Sequence, residues 1–238
     1  MSLENKTLVI IGGTSGIGLR TAQLAAQRGA KVILGGRNAD KLKRALSSLP
    51  PDARGAVVDS ADQESLQRFF ADIEQIDMLF TPGASYQVGG FRDSAREVAE
   101  SPFKNKFWGQ YWAVHAALSK LSEHAAIVLM SGAASARPIK GAAAYAAANA
   151  AIEGLGRGLA TELAPIRVNV IAPGTTDSDL WRGRDQVMRE AAFASYRAAT
   201  LLGEVGEVDD IANAALFLLT NGYMTGSTLF PDGGYALR

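Results

Sequence analysis

The most informative spacing of residues lies near the start of the chain, in the glycine-rich segment Gly12-Gly13-Thr14-Ser15-Gly16-Ile17-Gly18. It separates an apolar run typical of a strand from an amphipathic segment typical of a helix. One glycine allows the turn, a second lets the backbone approach a pyrophosphate, and a third lets the helix pack closely. The free N–H groups at the start of that helix favour an anion, so the segment predicts dinucleotide binding rather than only a tight turn. The predicted binding residues are Gly12, Thr14, Ser15, Gly16, Ile17 and Gly18.

The end of the second predicted strand, Leu34-Gly35-Gly36-Arg37-Asn38, indicates which dinucleotide binds. Near this point an acidic residue binds the ribose hydroxyls of NAD, whereas an arginine accommodates the 2′-phosphate of NADP. Gly36 occupies the position of the acid, and Arg37 follows it with a guanidinium that suits phosphate. The sequence therefore predicts NADP(H) as the cofactor, with a solvated loop arginine as the alternative.

Short apolar runs alternate with longer amphipathic segments along the whole chain. The strands and helices that they predict must position the cofactor-binding residues named above. The apolar runs lack in-and-out alternation, which is typical of strands covered by helices on both faces. The pattern predicts a single α/β domain over residues 1–238, with a doubly wound, seven-stranded parallel sheet that is Rossmann-like. The predicted strands are Thr7–Ile11, Lys31–Leu34, Gly55–Asp59, Asp77–Phe80, Ala126–Met130, Arg167–Ile171 and Ser227–Phe230. The predicted helices are Gly16–Arg28, Ala39–Ser48, Asp62–Glu74, Pro102–Leu121, Ala144–Leu163 and Val208–Leu219.

Composition narrows the classes of function. The 238 residues include 24 Lys+Arg and 24 Asp+Glu, so there is no excess of positive charge for nucleic acid or an anionic membrane. The chain has no cysteine, which excludes disulfides, thiol nucleophiles and cysteine-based metal sites, and its two histidines lack a metal-ligand spacing. No apolar stretch reaches the roughly 18–20 residues of a membrane span, and the start of the chain does not resemble a signal peptide. We expect a cytoplasmic protein that acts on a small molecule and binds no metal.

Several further motifs resemble the short-chain dehydrogenase/reductase family over nearly the whole chain. The glycine segment is similar to the family signature Thr-Gly-x-x-x-Gly-x-Gly, with Ile11 in place of its threonine. The other similar motifs are Asp59 after the third strand, Tyr145 before an alanine-rich helix, Pro173-Gly174 after the sixth strand and Asp232-Gly233-Gly234 near the end. The resemblance implies further cofactor contacts. These would be made by Asp59 and Gly83 on the adenosine side, and by Pro173, Gly174, Thr176 and Ser178 on the nicotinamide side.

The catalytic residues that the resemblance implies are altered in this chain. The family uses a tyrosine as general acid/base and a lysine four residues later that lowers the pKa of the tyrosine. Tyr145 matches the tyrosine, but Asn149 occupies the lysine position, and Lys140 is the last lysine in the chain. Where the family has an asparagine, three residues before Gly109, this chain has Lys106. The hypothesis is an exchange, in which Lys106 acts on Tyr145 and Asn149 binds the nicotinamide ribose. The alternative is drift in an inactive site, with Lys106 reaching solvent.

Two further positions bear on the reaction. Ser131, 14 residues before Tyr145, is the predicted hydrogen-bond donor to the substrate carbonyl, although strict register would place Gly132 there and Ser135 is a weaker candidate. The enoyl-reductase spacing, with a lysine seven residues after the tyrosine, is excluded because that residue is Ile152.

A mobile lid carrying several aromatic residues is expected to follow Ser178, and Tyr86 is a further candidate to line the substrate pocket.

The resemblance therefore implies an oxidoreductase that transfers a hydride between NADP(H) and a carbonyl or secondary alcohol, with Tyr145 as acid/base and Lys106 in place of the usual lysine. A catalytically silent NADP(H)-binding sensor or regulator is the alternative. Helix Pro102–Leu121 carries an aromatic face and helix Ala144–Leu163 a surface of small residues. In the family these helices pair between subunits, so the resemblance also implies a homodimer or homotetramer.

Overall fold

Seven parallel strands form the central sheet of the computed structural model, which describes residues 2–83 and 85–238. The strands are β1 (Thr7–Ile11), β2 (Lys31–Gly36), β3 (Arg54–Val57), β4 (Ile76–Thr81), β5 (Leu121–Met130), β6 (Arg167–Ile171) and β9 (Thr228–Leu229). Their order is β3-β2-β1-β4-β5-β6-β9, so the direction of winding reverses between β1 and β4. Ligands of such sheets bind at the carboxyl ends of the strands near this reversal.

Helices cover both faces of the sheet. They are α1 (Gly16–Ala26), α2 (Ala39–Ser47), α3 (Gln63–Ala71), α4 (Arg96–Pro102), α5 (Trp108–Ala117), α6 (Ala143–Glu162), α7 (Asp179–Arg182), α8 (Gln186–Ala199) and α9 (Val208–Thr220). One apolar cluster joins α1, α2 and α9 to the sheet, and a second joins α3, α5 and α6 to its opposite face. Strands buried on both faces have no polar side, which explains the continuous apolar runs. The predicted single doubly wound α/β fold is confirmed.

Several bounds differ from the sequence prediction, and three of the differences lie near the carboxyl ends of the strands or on the helices beside them. The predicted helix Pro102–Leu121 is divided into α4, a π-helical segment over Phe103–Phe107, and α5. β3 ends at Val57 rather than at Asp59, because the Asp59 carboxylate accepts a hydrogen bond from Ala61 N (3.0 Å) and turns the chain away from the sheet. After β6, a two-stranded sheet of β7 (Thr176–Asp177) and β8 (Gly206–Glu207) holds the base of the segment that contains α7 and α8.

None of the helices in the described part of the chain is long and apolar enough to cross a bilayer.

Candidate active site

The turn after β1 is in direct contact with the turn after β4. Gly12 has φ +100°, and a Cβ on it would lie 2.3 Å from the Cα of Gly83. Gly83 N also donates a hydrogen bond to Ile11 O (3.0 Å), which joins the two turns. A Cβ on Gly18 would lie 2.2 Å from Gly12 O, so only glycine allows α1 to begin this close to the strand. The predicted loop, including Thr14, Ser15, Gly16 and Ile17, thus presents its backbone at the start of α1, as phosphate binding requires.

The end of β2 fits a cofactor that carries a 2′-phosphate. A Cβ on Gly36 would lie 2.5 Å from Cγ2 of Thr14, so an acidic side chain at this position would require Thr14 to move. Arg37, the next residue, is exposed and can meet a phosphate. Asp59 is half-buried beyond the end of β3, and one of its carboxylate oxygens is engaged by Ala61 N.

The segment after β6 reaches back to the first turn. Thr176 is buried, and its hydroxyl donates a hydrogen bond to Gly174 O (3.2 Å), which stabilises the chain after Pro173. Ser178 Cβ lies 3.7 Å from the position that a side chain on Gly16 would take. The neighbouring Asp179 accepts a hydrogen bond from Gly16 N at its Oδ2 (3.2 Å). A carboxylate therefore occupies the start of α1, where the cofactor phosphate is predicted to bind.

The aromatic residues of the predicted lid mainly contact each other and the body of the protein. Trp181 packs edge-on against Phe193, with ring centroids 5.4 Å apart. Tyr196 stacks on Tyr235 and donates a hydrogen bond to Asp232 O (3.0 Å). Packing within the lid therefore explains these residues without a substrate.

Lys106 points into the protein. It lies in the π-helical segment Phe103–Phe107, and single-turn π segments are frequent at functional sites. Only 3% of the residue is exposed, and its Nζ donates hydrogen bonds to Ser131 O (2.8 Å) and to Oδ1 of Asn149. The Nζ also lies 5.0 Å from the ring centroid of Tyr145. This geometry agrees with the exchange hypothesis and not with a lysine that reaches solvent.

Asn149 lies beside Tyr145, with its amide in a fully buried position. Its Oδ1 accepts from Lys106, while its Nδ2 has no hydrogen-bond partner among the residues that the structure describes. A Cβ on Gly132 would lie 3.1 Å from Tyr145 Oη and 3.4 Å from this Nδ2, so both groups border the same small space. The amide is therefore placed to donate toward the phenol oxygen, and its contact with the nicotinamide ribose stays a prediction.

Ser131 and Gly132 resolve the ambiguity over the predicted carbonyl donor. The Ser131 hydroxyl is buried and lies 3.0 Å from both Asn149 O and Oε1 of Glu153, so its hydrogen bonding is directed to α6. Gly132 is the residue whose side chain would face Tyr145. The structure thus brings Tyr145, Lys106 and Asn149 together, but it does not place the Ser131 hydroxyl beside the Tyr145 hydroxyl.

Tyr86 is the neighbour of Tyr145 that the sequence did not assign to the reaction. The two rings stack with centroids 4.5 Å apart, and the two hydroxyl oxygens lie 3.3 Å apart. Tyr86 follows the turn after β4, at the carboxyl end of a strand beside the reversal point, and this position was the signal available in the sequence.

The electrostatic environment separates the two phenols. Burial raises the pKa of Tyr145, but the charge of Lys106, the Tyr86 hydroxyl and the Asn149 amide outweigh it and bring the pKa below the usual value of 10.0. Burial raises the pKa of Tyr86, and the neighbouring Tyr145 raises it further. Burial lowers the pKa of Lys106, and the nearby Tyr145 opposes this effect. Tyr145 is therefore the phenol suited to exchange a proton, and Tyr86 is the phenol that stays protonated.

Comparisons with known proteins agree with this architecture. Residues 12–236 match the family model described as Enoyl-(Acyl carrier protein) reductase. The chain is 32% identical over 243 residues to carbonyl reductase family member 4 of Danio rerio, covering 98% of this chain and 99% of that protein. It is 30% identical over 248 residues to the 3-oxoacyl-[acyl-carrier-protein] reductase FabG of Chlamydia trachomatis, covering 98% of each.

Solved structures show the same fold along the whole chain. A small-chain dehydrogenase in complex with NADPH is 32% identical, with a TM-score of 0.85 over 99% of this chain and 100% of that one. The MalC reductase/Diels-Alderase of Malbranchea aurantiaca is 27% identical, with a TM-score of 0.91 over 99% of this chain and 98% of that one. Together with the glycine turn and Tyr145, these matches establish that the chain belongs to the short-chain dehydrogenase/reductase family.

Proposed function

We propose that this protein is an NADP(H)-dependent carbonyl reductase, or in reverse an alcohol dehydrogenase, in which Tyr145 is the general acid/base. One observation carries the proposal: the buried Lys106 ammonium lies 5.0 Å from the Tyr145 ring and is held there by Ser131 O and Asn149. A cation fixed beside a phenol favours the phenolate, and this adjusts the acidity of the phenol for proton transfer near neutral pH. A structural lysine with no chemical role would not need to be buried against that ring.

The choice of NADP(H) rests on the end of β2. An acidic side chain in place of Gly36 would require Thr14 to move, and Arg37 offers a guanidinium to a 2′-phosphate. The similar small-chain dehydrogenase was solved with NADPH, which supports the same choice. When bound, the cofactor supplies or accepts the hydride.

Residues of this chain supply and accept the proton that is transferred to or from the substrate oxygen. In reduction, the O–H bond of Tyr145 breaks and its proton passes to the substrate oxygen as that oxygen gains negative charge. The Lys106 ammonium and the Asn149 amide then stabilise the resulting phenolate. In alcohol oxidation the phenolate takes the hydroxyl proton, and the same two groups favour the starting state of the base. The lysine therefore acts on Tyr145 from the π-helical segment rather than from α6.

A ketone is the substrate class best supported. Relatives named as a carbonyl reductase and a 3-oxoacyl-[acyl-carrier-protein] reductase act on C=O groups, whereas Ile152 occupies the position of the enoyl-reductase lysine. A pocket of about 110 Å³ lies against Tyr145, with apolar walls that include Val88, Val98 and Ala142. This pocket suits a short apolar group attached to the carbonyl carbon.

The test is oxidation of NADPH by the wild-type protein with acetoacetyl-coenzyme A and with acetophenone as probes. We expect turnover that Tyr145→Phe reduces by at least about 100-fold while NADPH binding is retained. Tyr223→Phe is the matched control, because Tyr223 is fully exposed. NADPH binding without turnover of either ketone would instead support the silent sensor.

A homodimer or homotetramer through α5 and α6 is part of the proposal. Trp108 is 44% exposed on α5, beside the half-buried Trp112. On α6, Gly154 and Gly158 are exposed, and among the described residues nothing lies within 4 Å of a Cβ added to Gly158. An aromatic face and a smooth helix face together suit close helix pairing between subunits. Sedimentation of a monomer at micromolar concentration would contradict this.

A further inference from the structure

The reacting centre contains one acid/base and needs a second hydrogen-bond donor. A carbonyl oxygen gains negative charge as hydride arrives, and preorganised donors aimed at that oxygen supply a large part of catalysis. Tyr145 provides one donor. At the position that faces the Tyr145 hydroxyl from the end of β5, Gly132 has no side chain, and the adjacent Ser131 hydroxyl is directed to Asn149 O and Glu153.

Tyr86 brings a second hydroxyl to the Tyr145 hydroxyl from a different element. Its oxygen lies 3.3 Å from Tyr145 Oη, and the stacked rings, with centroids 4.5 Å apart, fix its direction. Both tyrosines are half-buried, and Tyr145 lines the pocket together with Gln87 and Val88, the residues that follow Tyr86 in the chain. A carbonyl oxygen that approaches the Tyr145 hydroxyl from this pocket therefore comes close to the Tyr86 hydroxyl.

We propose that Tyr86 is a further catalytic residue, whose hydroxyl donates the second hydrogen bond to the substrate oxygen opposite Tyr145. The inference rests on the proposed reductase function and extends it. In reduction, the proton that forms the alcohol comes from Tyr145, and the O–H bond of Tyr86 stays intact throughout. Tyr86 stabilises negative charge on the substrate oxygen, and without substrate its hydroxyl donates to Tyr145.

The environments of the two phenols support this division of roles. Lys106 Nζ lies 5.0 Å from the ring centroid of Tyr145 and 5.7 Å from that of Tyr86, and Nδ2 of Asn149 borders the space at the Tyr145 hydroxyl. Ionisation of one phenol disfavours ionisation of the other. The group closer to the cation and the amide exchanges the proton, and the other remains a donor.

The experiment compares Tyr86→Phe, which removes the hydroxyl and keeps the stacked ring, with Tyr86→Ala, which removes both. NADPH-dependent reduction of acetoacetyl-coenzyme A and acetophenone is measured, with Tyr223→Phe as the control for loss of an exposed phenol. We expect kcat to fall about 100-fold in Tyr86→Phe, with a much smaller change in KM. A role in packing alone predicts wild-type kcat for Tyr86→Phe and a loss only for Tyr86→Ala, and that result would overturn the proposal.

A titration of tyrosinate absorbance in the ligand-free variants provides a second readout. The Tyr86 hydrogen bond lowers the pKa of Tyr145, so Tyr86→Phe is expected to move the first ionising phenol to higher pH. An unmoved titration would also overturn the assignment. If the wild type reduces neither ketone, the proposed function fails and the role of Tyr86 fails with it. If the wild type is active and Tyr86→Phe matches it, only the assignment of Tyr86 fails.

Discussion

Replacing Lys106 with methionine tests whether a lysine outside α6 can control the general acid/base. Methionine keeps an unbranched side chain of similar length in the buried position and removes the positive charge. The Nζ lies 5.0 Å from the Tyr145 ring centroid. At an effective dielectric constant of about 20, unit charges at that separation interact by about 3 kcal/mol. An energy of that size is worth a factor of about 100 in favour of the phenolate.

Loss of the Lys106 charge affects the two directions of the reaction differently. The Lys106 charge lowers the pKa of Tyr145, so Lys106→Met raises it. Alcohol oxidation requires the phenolate, so its rate near neutral pH should fall about 100-fold, and the rising limb of its pH profile should move to higher pH. Ketone reduction requires the protonated phenol, so the falling limb of its pH profile should also move to higher pH.

The assay is the pH dependence of kcat/KM in both directions, with the tyrosinate absorbance of the free protein as a check that does not depend on turnover. Lys104→Met is the matched control, because Lys104 lies in the same π-helical segment and is exposed. Thermal unfolding and NADPH binding show whether the loss of the donor to Ser131 O and Asn149 disturbs the fold. A folded Lys106→Met protein whose pH profiles match those of the wild type would contradict this role of Lys106.

Two further predictions concern the cofactor. Arg37→Ala should weaken NADPH binding by about 10–100-fold, because it removes a charge-assisted contact with the 2′-phosphate, and it should leave NADH binding unchanged. Fluorescence titration with both nucleotides measures this, and wild-type affinity for NADPH in the variant would contradict the role. Asp179→Asn should tighten NADPH binding by a factor of about 2–5, because the carboxylate now bonded to Gly16 N must give way to a phosphate at the start of α1. Calorimetric titration checks this, and affinity that is unchanged or weaker would count against such competition.

The sequence predicted the fold well because buried parallel strands have a simple signal. β1 and β6 have the predicted bounds, since their apolar runs are continuous and end where the chain leaves the sheet. The π-helical segment Phe103–Phe107 was not predicted, because apolar spacing does not specify which carbonyl each N–H contacts. No helix bounds were predicted for α7 and α8, whose aromatic residues pack within the lid.

The residue types of the candidate site could be predicted from the sequence, but the directions in which their side chains point could not. The family resemblance pointed to Tyr145, Asn149 and Lys106, but only the structure shows the Lys106 ammonium between Ser131 O and Asn149. Ser131 was the predicted carbonyl donor, but its hydroxyl is directed to Asn149 O and Glu153, and the adjacent Gly132 faces Tyr145. Tyr86 lies in an irregular segment, so no periodicity could relate it to α6.

The exchange of lysine and asparagine has a physical explanation in the space around residue 149. Asn149 is fully buried between Lys106 and Gly132, where an amide can accept from the ammonium on one side and donate toward the phenol on the other. The π-helical segment brings the lysine to this space from the opposite side, and Ser131 O fixes it at the end of β5. The proposed chemistry requires a cation near the Tyr145 phenol, and it does not require that cation to come from α6. A lysine four residues after the tyrosine is one way to place an ammonium there, and in this chain the Lys106 ammonium lies near the phenol ring from the π-helical segment.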